Sequence, residues 1–151
     1  MRIRNLILFS FVIMVLLCLI CCSKSNLNAQ EAREILQKFY SDKDLAESQT
    51  DLYLLNAGKP IVPYLVKEIE NRKMPRRQYA IVALGKINDP RALPVLEKII
   101  NDKTEEAFTR GNALTSIWHI DQKLGEEYAK KFGGDKGYID NTIKLLKKGS
   151  I

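Results

Sequence analysis

Residues 77–100 read RQYAIVALGKINDPRALPVLEKII, and this stretch decides the fold. In its first half Tyr79, Ala80, Ala83, Leu84 and Ile87 recur every three or four residues, the period of one face of a helix. Asn88-Asp89-Pro90 then makes a tight turn. Asp89 can accept from the free N–H groups of a second helix, and Pro90 takes that helix's first position, where a missing N–H does no harm. Leu93, Leu96, Ile99 and Ile100 form the apolar face that follows. The stretch is therefore a helical hairpin, with Pro75 expected to open its first helix. Ala80, Ala83 and Gly85 are small enough to let paired helices approach closely.

Working outward, the hairpin has copies. Ile61-Val62-Pro63-Tyr64-Leu65 matches Ala92-Leu93-Pro94-Val95-Leu96 at a spacing of 31, and Arg77-Gln78-Tyr79-Ala80 matches Arg110-Gly111-Asn112-Ala113 at 33. A period of one hairpin is the sequence signature of a solenoid. With its alanines, Ala83-Leu84-Gly85, Ile87 and Asp89-Pro90-Arg91-Ala92-Leu93-Pro94, the segment Arg77–Ile100 resembles a HEAT-like repeat of the short bacterial type. Looser copies begin near Leu45 and near Thr104, so the resemblance runs over residues 45–132. It implies an all-α fold, a short α-solenoid of about three HEAT-like hairpins with flanking capping helices. The helices before Asp42 and after Gly134 would close its ends, and the repeat domain as a whole spans residues 28–151.

The remaining segments agree with that architecture and contain no convincing strand. Asn28 and Glu31 form a capping box, after which Ala32, Ile35, Leu36, Phe39 and Tyr40 share a face. A less periodic stretch, Leu45–Leu55, ends at Gly58, where a positive φ is cheap. Pro60 and Pro63 sit in the first turn of the next helix, whose core face is Ile61, Val62, Leu65, Val66 and Ile69. Thr104–Ile120 and Lys123–Phe132 make a further pair, with Ala107, Leu114, Ile117, Leu124, Tyr128 and Phe132 as core candidates. Trp118 shares the spacing of Leu114 and Ile117 and is expected in the core; exposed, it would be a natural hot spot of an interface. After Gly133-Gly134, a last helix turns Tyr138, Ile139, Thr142, Ile143 and Leu146 inward and stops at Gly149.

The N-terminus has a different character. Arg2 and Arg4 precede a run of about 15 largely apolar residues, Leu6–Ile20, short of the roughly 20 that a membrane span needs. The run ends on Leu19-Ile20-Cys21-Cys22-Ser23, which resembles the lipobox of a bacterial lipoprotein signal. Cys21 departs from that pattern, which usually has Gly, Ala or Ser before the modified cysteine. The resemblance implies a signal peptide at 1–21, lipid attachment at Cys22 and a tether over 22–27. Ser23 after the acceptor is similar to lipoproteins sent onward to an outer membrane. The alternative is an uncleaved N-terminal anchor helix.

Little chemistry accompanies this address. Loss of residues 1–21 would remove Arg2 and Arg4, reducing 24 basic residues to 22 against 18 acidic ones, net +4. That excess forms no basic stripe with stacking aromatics, so nucleic acid is not the expected partner. Once Cys18 and Cys21 leave and Cys22 takes lipid, no thiol remains for a disulfide or a nucleophile. His119 is the one histidine, too few for zinc, and reads as a helix-end side chain. Gly133-Gly134 lacks the Lys and Ser/Thr of a phosphate loop. Glu105-Glu106 and Glu126-Glu127 read as solvated charge opening helices. No catalytic residue, metal ligand or cofactor is assigned.

Partner binding falls on Arg72, Lys73, Arg76 and Arg77, a basic cluster at the joint between two helices. It suits an acidic patch or anionic headgroups; otherwise Arg72 and Lys73 complement a helix end while Arg76 and Arg77 lie on solvent. Lys144, Lys147 and Lys148 are similarly ambiguous. The expected function is a non-catalytic, lipid-anchored adaptor or scaffold of the bacterial cell envelope, binding an envelope protein or peptide. Two alternatives stand beside it: a self-associating structural subunit, and an enzyme of the kind found among bilin-attaching lyases, which resemble these repeats. On the lipoprotein reading, Cys22→Ala abolishes lipid attachment and leaves the chain uncleaved or soluble. Intact-mass analysis checks this; normal lipidation of the variant would contradict it.

Overall fold

The computed structural model describes residues 27–41, 51–134 and 137–151. The expected signal segment at 1–21, Cys22 and the tether as far as Asn26 lie outside the described residues, as does 42–50, where the loose first repeat begins. Among the described residues the chain is α1 (Ala29–Ser41), α2 (Leu52–Ala57), α3 (Val62–Ile69), α4 (Arg77–Ile87), α5 (Leu93–Asn101), α6 (Ala107–Ile120), α7 (Gln122–Phe132) and α8 (Tyr138–Lys148), with no strand. Short 3-10 turns, Lys59–Ile61 and Pro90–Ala92, lead into α3 and α5.

Three hairpins follow from this order: α2/α3, α4/α5 and α6/α7, flanked by α1 and α8. The first helices of successive hairpins pack in a row, α2 on α4 and α4 on α6, and α8 extends the row by packing on α6. Helix α6 is the hub, touching α4, α5, α7 and α8. The fold is an all-α solenoid.

Each hairpin turns at an equivalent residue. Gly58 takes φ +63°, and its N–H donates to the Leu54 and Leu55 carbonyls; a side chain would be strained in that conformation. Asp89 replaces it in the second hairpin and accepts from the Arg91 N–H at 3.0 Å. Asp121 in the third accepts from the Leu124 N–H at 3.0 Å. The carboxylates satisfy N–H groups that a helix start leaves orphaned. Asp89 is buried, and the Arg91 guanidinium holds its carboxyl below the usual range. Arg91 Nη2 also reaches the Lys59 carbonyl at 2.8 Å, tying the second turn to the first. At the N-terminus the capping box forms: Asn28 Oδ1 accepts from the Gln30 and Glu31 N–H groups, and Glu31 Oε2 accepts from Asn28 N–H.

The core runs through all three hairpins. Leu65, Ile69, Leu84, Leu96, Ile100, Leu114 and Ile117 are fully buried. So are Ile81 and, nearly, Val95, which the single apolar stripes did not include. For Ile81 the reason is the row packing: α4 has α2 on one side and α6 on the other, and so buries more than one stripe. Helices α4 and α6 come close at Gly85, where a Cβ would lie 2.7 Å from Ser116 Cα. Beside it Ser116 Oγ donates to the Ile81 carbonyl at 2.9 Å.

Some expected positions move. Helix α4 begins at Arg77 rather than Pro75, because Arg76 is left-handed (φ +57°) and completes the turn that buries Met74. Ala107 is exposed, since it starts α6 before that helix reaches its neighbours. Tyr138 is 44% exposed and sets its ring edge-on to Phe108 at 5.2 Å instead of entering the core. Leu96 is fully buried, so Leu96→Ala should cost about 2–5 kcal/mol. A thermal melt indistinguishable from the parent's would mean that α5 presents the opposite face.

Candidate functional site

Two regions compete for a binding role: the basic joint between α3 and α4, and the surfaces along α7. At the joint the arginines are engaged within the molecule. Arg77 Nε donates to the Ile69 carbonyl at 2.7 Å, and its Nη1 and Nη2 form a two-pronged pair with Glu105 at 2.9 Å each. The two side chains are only 11% and 9% exposed. Arg72 pairs with Asp102, reaches Glu105 at 3.3 Å and donates to Thr104 Oγ1 at 2.8 Å. Arg76 Nη1 donates to the Phe39 carbonyl in α1 at 3.1 Å. Lys73 is exposed, and its backbone N–H donates to Asn71 Oδ1.

Two sequence expectations change here. Arg77 does not lie on solvent, and Glu105 is not solvated capping charge; each is the other's nearly buried partner. Asp102 is held below the usual carboxylate range, first by the Thr104 hydroxyl and then by Arg72. The structure thus brings Arg72 and Arg77 onto one pair of carboxylates, sends Arg76 toward α1, and leaves Lys73 outward.

The arrangement repeats one hairpin later. Arg110 Nε donates to the Ile100 carbonyl at 2.9 Å, as Arg77 does to Ile69. Its guanidinium then lies 5.1 Å from the Phe132 ring instead of meeting a carboxylate. Phe132 stacks on Tyr128, with ring centroids 6.1 Å apart, and Lys131 covers both rings.

Helix α7 presents three faces. Gly125 and Ala129 face α6; a Cβ at Gly125 would lie 2.7 Å from Trp118 Cα. One flank meets α5: Tyr128 donates to Glu97 at 2.9 Å, and Lys131 Nζ to Asn101 Oδ1 at 2.6 Å. Burial, reinforced by the Glu97 carboxylate, pushes the Tyr128 hydroxyl up. The other flank, Gln122, Glu126 and Lys130, lines an open cleft of about 530 Å3 with Trp118 of α6 and residues 146–149 at the end of α8. Trp118 is half-buried: its backbone side packs on Gly125 and its ring side lines the cleft. It meets both descriptions the sequence allowed.

A second cleft, about 520 Å3, lies between α1 and α3. It is crossed by hydrogen bonds, Tyr40 to Glu68 at 3.1 Å and Tyr64 to the Leu27 carbonyl at 3.0 Å. Burial and the adjacent Glu68 raise the Tyr40 hydroxyl far above its ordinary value. His119 is exposed on the last turn of α6. Among the described residues no group of three His, Cys, Asp or Glu is placed to hold a metal, and no helix is long and apolar enough to cross a membrane.

The cleft escaped sequence reading because Lys130 and the Lys147–Lys148 pair converge only when α8 stacks on α6. The bonds from Arg77 and Arg110 to the preceding helix ends had a legible signal. Arg77 and Arg110 stand 33 apart, and the carbonyls they cap, Ile69 and Ile100, stand 31 apart.

The family model of the PBS lyase HEAT-like repeat matches residues 76–102, which is the α4/α5 hairpin with one residue on either side. No curated protein and no solved structure gave a match. The middle hairpin is thus similar to a HEAT-like repeat, in agreement with the helical-repeat architecture of the described residues.

The geometry of the joint separates its cations. Arg77→Ala removes both short hydrogen bonds to the nearly buried Glu105 carboxylate, leaving it only Arg72 Nε at 3.3 Å, and should cost about 1.5–3 kcal/mol. Lys73→Ala should stay within about 0.5 kcal/mol of the parent. Equal denaturant midpoints for the two variants would contradict the assignment.

Proposed function

We propose that the chain is a lipid-anchored protein–protein interaction module of the bacterial cell envelope, carried to the membrane by an N-terminal signal and held there through Cys22. In a cell with two membranes, Ser23 after the acceptor favours the outer one. The observation that carries the interaction reading is the cleft at Trp118. It is an open, partly apolar site rimmed by polar side chains, with the half-buried Trp118 in its lining. Tryptophans so placed commonly dominate interface energetics. The HEAT-like match supports a binding surface over a reactive one.

Partner contact through the four residues of the basic joint is the lesser part of this reading. The charge of Arg72 and Arg77 is already met by Asp102 and Glu105, which leaves Lys73 as the outward member with the most to offer an anionic surface. A second reading, self-association, is favoured by the exposed apolar side chains Phe108, Tyr138 and Leu145 on α6 and α8. Crosslinking in living cells, followed by detergent extraction and mass spectrometry, tests both. Capture of one dominant envelope protein is the expected result. Capture of the chain only with itself would replace the adaptor reading with the structural one.

A further inference from the structure

We propose that the cleft between α6, α7 and α8 receives one amphipathic helix with acidic flanks from a partner protein, docked beside α7 as α7 is docked beside α5. This deepens the interaction reading above and rests on it.

The solenoid itself supplies the first argument. Each second helix of a hairpin is bridged to the one before by polar side chains. Lys98 Nζ meets Glu70 at 2.9 Å between α3 and α5, and Tyr128 and Lys131 meet Glu97 and Asn101 between α5 and α7. The outer flank of α7 offers the same kind of surface, a row at i, i+4 and i+8, and only the C-terminal end of α8 approaches it. The natural occupant of such a seat is a helix.

Shape and charge narrow the occupant. Trp118 and Leu146 give the cleft an apolar floor, and about 530 Å3 is the size of an ordinary ligand pocket. It suits the apolar ridge of one helix, with anchors at i, i+3 or i+4, and i+7. Around the floor stand Lys130, Lys147 and Lys148 against one acid, Glu126. Of the last carbonyls of α8, those of Leu146 and Leu145 already accept from the Gly149 and Ser150 N–H groups at 3.0 Å. The rim is therefore cationic and complements Asp and Glu flanking the ridge; such charges set specificity and encounter rate.

Trp118 is the only tryptophan in the chain, so its fluorescence reports on the cleft. The full chain is titrated with two Trp-free synthetic helical peptides sharing a leucine ridge, one flanked by Glu and one by Lys. The Glu-flanked peptide should shift Trp118 emission, less so as salt rises. The variant Lys130→Glu/Lys147→Glu/Lys148→Glu alters only exposed side chains and its fold is checked by circular dichroism. It should bind that peptide at least tenfold more weakly and prefer the Lys-flanked one. An unmoved emission, or equal binding of both peptides, overturns the proposal. A shift that grows with protein concentration alone would assign the cleft to a second copy, and phosphatidylglycerol vesicles that displace the peptide would assign the lysines to headgroups; either result overturns it. If the peptides fail while cellular crosslinking still captures an envelope protein, the docking site falls and the interaction reading stands.

Discussion

The guanidinium of Arg77 is the interaction on which the rest of this structure depends. From the first turn of α4 it closes the end of the first hairpin through the Ile69 carbonyl and grips the start of the third through Glu105. One planar side chain with donors in a fixed fork can serve three hairpins at once, whereas lysine could not. Apolar burial supplies the driving force of folding, but it is not directional. The arginine sets the register in which one hairpin meets the next. Its counterpart, Arg110, repeats the bond to the preceding helix end and then turns to the Phe132 ring.

That change from carboxylate to aromatic partner coincides with a change in packing. In the first two hairpins the second helix turns Leu and Ile toward the core; in the third it turns Gly125 and Ala129. Helix α7 therefore sits close against Trp118, and the bulk lost from its inner face reappears as Tyr128 and Phe132 toward α5. The opposite flank is approached only by the C-terminal end of α8. Close approach, the half-exposed tryptophan and the cleft share one cause, the small residues of α7. The region best suited to recognition is thus where the solenoid is least like its own consensus.

Local chemistry was legible in the sequence. The Asp89-Pro90 turn, the Asn28–Glu31 capping box and the apolar stripes of α3 and α5 each depend on residues within a few positions, and all appear in the fold. Relationships between hairpins were less legible. Glu105 read as solvent-facing because an acid at a helix start ordinarily is; only the stacking of a third hairpin brings it to Arg77. Ile81 fell outside the predicted stripe because periodicity identifies one buried face, while α4 in its row has neighbours on both sides. Of the basic cluster, proximity in sequence was correctly seen, but not that Asp102 and Glu105 would meet two of its members. The lysines of the cleft lie on two helices whose relative placement no local pattern encodes.

The central claim is that recognition occurs in the cleft beside α7 and not at the basic joint. The most direct test places a photo-crosslinking amino acid at Gln122, inside the cleft, or at Lys73, outward at the joint, and compares what each captures in cells. The account predicts one partner crosslinked from Gln122 and little from Lys73. The same partner captured from Lys73 alone would contradict it and return the binding role to the joint.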